Sequence, residues 1–289
     1  MFSKFSLKRS ALFVLVASIA INASALENDP ALNRLCVPVS PQEMGSSPGS
    51  ILPCGKTPVP DSQSFRSLAK EYGVALGPQL SSPAKTLGIN GFQFDLQFAV
   101  TSINKDEYYW QQGIDDRTPE SQLVVSRVGL KKGLSASLEL GTDVAYLIGS
   151  EMWTLGGYAK WGIHEMMDDF PINFSVRGSV SKTVGSAQLQ LSMYGADVIV
   201  GKTFGLGGVV TVSPYLAYSP LWVVARSGIL DSAPVEPNIV GQFVLPQESI
   251  NVQRFGFGTR FVTGLFSFTP EFVLADNQQT ITVNLGLNF

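Results

Sequence analysis

The sequence predicts a membrane-spanning, up-and-down antiparallel β-barrel of about ten strands over residues 87–289, preceded by a short N-terminal amphipathic helix. Three observations predict it. Apolar and polar residues alternate in run after run from Leu87 onward, at about the 9–11 residues a tilted strand needs to cross a bilayer. No stretch beyond the N-terminal leader supplies the roughly 20 mostly apolar residues of a spanning helix. Short turns also alternate with connections that include two long ones, 104–121 and 227–248.

Residues 1–25 read as a cleaved export signal. Lys4, Lys8 and Arg9 precede an apolar run over 11–21, and Ala23-Ser24-Ala25 forms a small-residue cleavage site. Removing those three basic residues from 20 leaves 17 Lys and Arg against 23 Asp and Glu, or −6. That balance, with no basic cluster, excludes nucleic acid as the expected partner.

Residues 26–60 carry Pro30, Pro38, Pro41, Pro48, Pro53, Pro58 and Pro60. Each fixes φ and lacks a donor, so neither helix nor ladder forms easily. Cys36 and Cys54 are the two cysteines of an exported chain and are expected to pair as a disulfide. Phe65, Leu68, Ala69, Tyr72 and Leu76 then mark one face of a helix over 62–76, with Asp61, Ser62 or Ser64 as its cap. Its apolar stripe can be hidden by plugging the periplasmic mouth, in the lumen or on the membrane surface; the plug of the periplasmic mouth is the preferred expectation.

The first strand sets Phe92, Phe94, Leu96, Phe98 and Val100 against Gln93, Asp95 and Gln97. The second spans Leu123 to Leu130 and turns at Lys131-Lys132-Gly133. The third opposes Leu138, Leu140 and Val144 to Glu139 and Asp143, and the fourth Trp153, Leu155 and Trp161 to Tyr158 and Lys160. The fifth sets Phe174, Val176 and Val180 against Ser175, Arg177 and Ser179. In the sixth, Leu189, Leu191 and Met193 read as outward, yet Val198 and Val200 continue on even positions; a bulge near Gly195 is expected to flip the phase. Val210, Val212, Leu216 and Tyr218 mark the seventh, Phe255, Phe257 and Phe261 the eighth, and Phe266, Phe268, Phe272 and Leu274 the ninth. Eight or twelve strands stay open as alternatives, and the connection from His164 to Pro171 is long for a periplasmic turn.

The tenth strand, ITVNLGLNF, places Ile281, Val283, Leu285, Leu287 and Phe289 on one face and ends on an aromatic. It resembles the sorting signal of bacterial outer-membrane β-barrel proteins, carried here by Val283, Leu285, Leu287 and Phe289. The resemblance implies the Gram-negative outer membrane, outer-membrane lipid and the barrel-assembly machinery as partners. With the segment 26–86 in the periplasm, the two long connections face outward.

Strand phase places Asp95, Arg127, Glu139, Asp143, Lys160, Arg177, Asp197, Arg254, Arg260 and Glu271 in the lumen, since such charges are costly against lipid. They predict either a charged, porin-like constriction selecting small solutes or a salt-bridged filling of a narrow barrel. In the outer connection, Tyr108, Tyr109, Trp110, Asp115 and Asp116 suggest either a ligand-binding site or an aromatic girdle. Ten-stranded outer-membrane proteases are similar in strand number, but they use an Asp-His pair near the outer rim. Here the single histidine, His164, falls at the other end. No enzyme, cofactor or metal is therefore expected. The expected function is a narrow or plugged pore, with a surface adhesion or ligand-binding barrel as the alternative.

Overall fold

The computed structural model describes residues 28–37, 59–114, 119–135, 137–167, 171–231 and 242–289. The export signal, Cys54, Asp115 and Asp116 lie outside the described residues, so the disulfide and that acidic pair do too.

Ten strands close into one antiparallel barrel. They are β1 (Phe92–Ser102), β2 (Gln122–Gly133), β3 (Leu138–Leu147), β4 (Trp153–Gly162), β5 (Asn173–Val184) and β6 (Leu189–Gly201). Then follow β7 in two pieces (Val210–Tyr218 and Leu221–Ser227), β8 in two pieces (Glu248–Val252 and Arg254–Thr263), β9 (Phe266–Ala275) and β10 (Gln278–Asn288). Both pieces of β7 hold one register on β6: Tyr218 faces Val198 and Leu221 faces Gly195. The break falls at Pro220, which has no N–H to donate. β10 pairs β1, with Leu285 opposite Leu96, and closes the wall. Closure leaves no edge of unpaired backbone, a condition any strand assembly must meet in hydrocarbon.

The exterior is apolar. Phe94, Phe98, Leu155, Trp161, Val198, Leu216, Phe257, Phe268 and Leu285 are exposed to the outside of the wall. Their neighbours one residue along, such as Asp95, Arg127, Lys160, Arg177 and Glu271, are buried inside it. No helix is long and apolar enough to cross a membrane among the described residues; this barrel crosses with strands.

Strand β6 departs from expectation. It has no bulge, and its inward positions alternate without a phase change from Leu189 through Leu191, Met193 and Asp197 to Ile199. Leu189, Leu191 and Met193 point into the lumen, because the lumen beside them is filled with apolar side chains.

That filling is the N-terminal segment. Helix α1 (Ser62–Leu76) is capped by Asp61, whose side chain accepts from Ser64 N at 3.0 Å. Phe65, Leu68, Tyr72, Val74 and Leu76 are all buried, so its second half is covered on every side. The helix lies at the mouth built from the β1–β2, β3–β4, β5–β6, β7–β8 and β9–β10 connections. Residues 28–37 lie there too: Asn28 N donates to Gly149 O at 2.9 Å, Ala31 N to Gly113 O at 2.7 Å, and Leu32 N to Gln188 Oε1 at 2.7 Å. The sheet begins and ends at the opposite mouth, where Phe92 and Phe289 exchange backbone bonds of 3.0 and 2.8 Å. The helix therefore plugs a mouth, but it is the mouth of the long connections. Of the 26–86 segment, the described residues 28–37 and α1 lie at the same mouth as the long connections, whereas a periplasmic segment with outward long connections would put them at opposite mouths.

Candidate functional site

The lumen has an apolar half and a charged half. In the first, Leu123 and Val125 of β2, Ala145 and Leu147 of β3, Leu189 to Met193 of β6, Leu221, Val223 and Ala225 of β7, and Ile250 and Val252 of β8 surround α1 as one core. Gly73 lets the helix approach the wall: a Cβ there would lie 2.6 Å from Val223 Cγ2.

The β1–β2 connection closes over this core. Helix α2 (Tyr108–Gly113) sets Trp110 against Tyr72, ring centroids 5.0 Å apart, with Trp110 fully buried. Glu71 of α1 accepts from Trp110 Nε1 at 2.6 Å, Tyr109 Oη at 2.6 Å and Asn104 N at 3.3 Å. Burial, and then the adjoining Glu71, push the Tyr109 phenol above its ordinary range, so it stays a donor. Of the aromatics singled out in this connection, Tyr109 and Trp110 thus clasp the plug, and Trp110 presents nothing to a ligand. Tyr108 is exposed.

Past α1 the chain cannot stay helical. Gly77 ends the helix and Pro78 lacks an amide hydrogen. Residues 77–87 run through the second half as a bent, non-helical strap, with Ser81 at φ 39°. Between residues 78 and 87 the strap makes no backbone–backbone bond to the wall. Buried carbonyls and amides need partners, and here side chains provide them.

Arg127 donates to Leu76 O and Gly77 O at 3.3 and 2.9 Å, Arg254 to Pro78 O at 3.0 Å, and Arg177 to Gln79 O and Leu80 O at 2.9 and 3.1 Å. Lys160 Nζ reaches Ser82 Oγ at 2.9 Å, Lys85 O at 3.1 Å and Pro83 O at 3.4 Å. Carboxylates take the amides: Glu271 from Ser81 N at 2.9 Å, Glu139 from Leu87 N at 3.0 Å, and Glu165 from Thr86 N at 2.9 Å.

The same charges pair in the wall. Arg127 meets Asp143 at 2.5 Å, Lys131 meets Asp95 at 2.9 Å, Lys160 meets Glu139 at 3.1 Å, and Arg177 meets Asp197 at 2.6 Å. Among the described residues, Arg254 and Arg260 have no carboxylate partner. Arg254 also binds Ser219 O at 3.1 Å, and Arg260 binds Gln93 Oε1 and Asn288 Oδ1 at 2.6 and 2.5 Å. Glu271 likewise pairs with no arginine among the described residues and accepts from Tyr215 Oη at 2.6 Å. Tyr158 lies on Gly141, where a Cβ would meet its ring at 2.2 Å, and donates to Glu139 at 2.8 Å.

What remains between strap and wall is a cavity of about 30 Å³, bounded by Leu80, Asp95, Arg127, Asp143 and Arg177. That is room for about two waters. His164 is bound through Nδ1 to the Phe174 amide at 3.1 Å. Among the described residues no cluster of His, Cys, Asp or Glu is arranged to hold a metal ion.

The strap, Glu71, Lys131 and Glu165 escaped the sequence reading. The strap's one signal was its prolines beside glycine and serine, in Gly77-Pro78 and Ser81-Ser82-Pro83, between a helix and the first strand.

No protein-family model matches the chain. No curated protein matches it either. Solved structures similar to it include the N-terminal β-barrel domain of Pseudomonas aeruginosa OprF (12% identity, 70% of this chain, 99% of that one, TM-score 0.29). Others are Ail, the attachment invasion locus protein of Yersinia pestis (11%, 70% and 99%, 0.28), and the β domain of the Bordetella autotransporter BrkA (12%, 69% and 100%, 0.35). Likeness this low carries no argument about what the lumen does. The chain's own apolar exterior, closed ladder and charged interior make it an integral outer-membrane β-barrel.

Proposed function

We propose that the protein is a sealed, non-enzymatic barrel that does not conduct at rest and works through the surface of its plugged mouth, as a binding or adhesion barrel. The carrying observation is the apolar core inside the lumen. Leu68, Tyr72, Trp110, Leu123 and Leu221 are all fully buried there, and opening a pore would expose them to water. Connections are shorter on the periplasmic side of such barrels, so the mouth holding 103–121 and 228–247 is read as the outer one. Lipid surrounds the wall, and the assembly machinery inserts it. A Cys36–Cys54 disulfide would tie the segment ahead of α1 into a loop.

Planar-bilayer recording of the intact protein tests this. Silence at moderate voltage is expected; a steady, porin-sized current would overturn it. One observation favours a second reading, a gated pore: among the described residues, the bonds between residues 78–87 and the wall run through side chains, so the strap can leave without breaking the ladder. Reversible openings that stop on reducing the voltage would favour that reading instead.

A further inference from the structure

We infer that the chain passes through its own barrel, so that residues 28–37 and 59–61 lie at the cell-surface mouth beside the long connections, with Val37 and Val59 exposed there. The inference rests on the outward orientation proposed above.

Four observations carry it. Residues 28–34 bond to Gly113, Gly149 and Gln188, all on connections of the plugged mouth. Lys70 of α1 pairs with Asp276 of the β9–β10 turn at 2.5 Å, at that same mouth. Residues 86–91 sit at the opposite mouth: Thr86 Oγ1 donates to Glu165 in the β4–β5 connection at 2.6 Å, and Gly133 N donates to Gly91 O at 2.9 Å. Between the two, α1 fills the apolar half of the lumen and residues 77–87 the charged half, so helix and strap together take the chain from one mouth to the other.

The strap is held from many sides at once. Its contacts come from Arg127 on β2, Glu139 on β3, Lys160 on β4, Arg177 on β5, Arg254 on β8 and Glu271 on β9. A closed wall with a cavity of about 30 Å³ offers no passage for a chain. The segment must therefore enter the lumen before β10 pairs β1, and its head must emerge outside as the barrel closes.

Accessibility on intact cells tests this. With Cys36→Ser and Cys54→Ser as background, single cysteines are placed at Val59, Ile229 and Leu265, all exposed. Each is treated with a membrane-impermeant biotin-maleimide before and after permeabilisation. Val59→Cys and Ile229→Cys should label as fully on intact as on permeabilised cells, and Leu265→Cys only after permeabilisation. Labelling of Val59→Cys only after permeabilisation, while Ile229→Cys labels on intact cells, would overturn the threading and leave the orientation standing. Labelling of Leu265→Cys alone on intact cells would overturn the orientation itself. Failure of Val59→Cys to label in either state would overturn surface display. An epitope tag between Leu26 and Glu27, native cysteines kept, gives a second readout that does not depend on the serine background. Antibody should bind it on intact cells, and binding only after permeabilisation would count against the inference.

Discussion

The two halves of the lumen are built on the same strands yet carry opposite chemistry. Moving from the plugged mouth inward, β2 presents Leu123 and Val125, then Arg127. β6 presents Leu189, Leu191 and Met193, then Asp197; β8 presents Ile250 and Val252, then Arg254. The switch follows what each part of the plug leaves unsatisfied. Helix α1 bonds its own backbone and asks the wall only for apolar contact. The strap at 77–87 has no ladder, so its carbonyls and amides demand donors and acceptors. The inner face of a barrel thus records the backbone state of whatever fills it.

Breaking either half should cost about the same but respond differently to rescue. Arg177→Ala strands Asp197, whose side chain is fully buried, and frees the Gln79 and Leu80 carbonyls. A loss of about 3–5 kcal/mol is expected, part of it recovered in Arg177→Ala with Asp197→Ala because the unpaired charge is gone. Urea titration of the heat-modifiable folded band reads this. Phe65→Ala opens a cavity in the apolar half, also at about 3–5 kcal/mol. No loss of a charge partner is involved, so its cost should be insensitive to salt and pH in the same titration.

Gly73→Ala sharpens the contrast at lower cost. Alanine favours a helix over glycine by about 1 kcal/mol, yet its Cβ would strike Val223 at 2.6 Å. Overpacking of about 1–3 kcal/mol should win. Adding Val223→Ala should relieve the clash, and a double-mutant cycle with no coupling would show that the helix is not seated against β7. The smallest effect is expected where the plug meets solvent. Arg66 pairs with Glu248 at 2.8 Å but remains about half exposed, so Arg66→Ala should cost under about 1 kcal/mol. A larger loss in thermal unfolding would mean the mouth is drier than its surface suggests.

The wall was readable in the sequence because lipid imposes one rule on every strand. Phe94, Phe98, Phe257, Phe268 and Leu285 alternate with buried neighbours at period two, and that pattern needs no knowledge of neighbours. The rule failed at Leu189, Leu191 and Met193. Apolar residues that face a plug and apolar residues that face lipid look the same in one dimension, so a bulge was expected where none exists. The charged positions were legible for the same reason as the wall. Their partners were not: Arg254 and Glu271 answer to Pro78 and Ser81, each more than 170 residues away in the chain.

By itself, then, the sequence determined that the chain alternates through about ten strands, which face of α1 is apolar and where charge enters the barrel. These follow from local periodicity and from the cost of putting a charge in hydrocarbon. The sequence also suggested a turn at Lys131-Lys132-Gly133, which belongs to β2, and the strand pieces Leu221–Ser227 and Glu248–Val252 escaped it. Only the tertiary structure decided that α1 plugs the mouth of the long connections, that the strap fills the charged half, and that Tyr109 and Trp110 hold Glu71. Those facts depend on which way the chain runs through a closed cylinder. Entering from either mouth satisfies the same alternation, and only the bonds across the lumen tell the two apart.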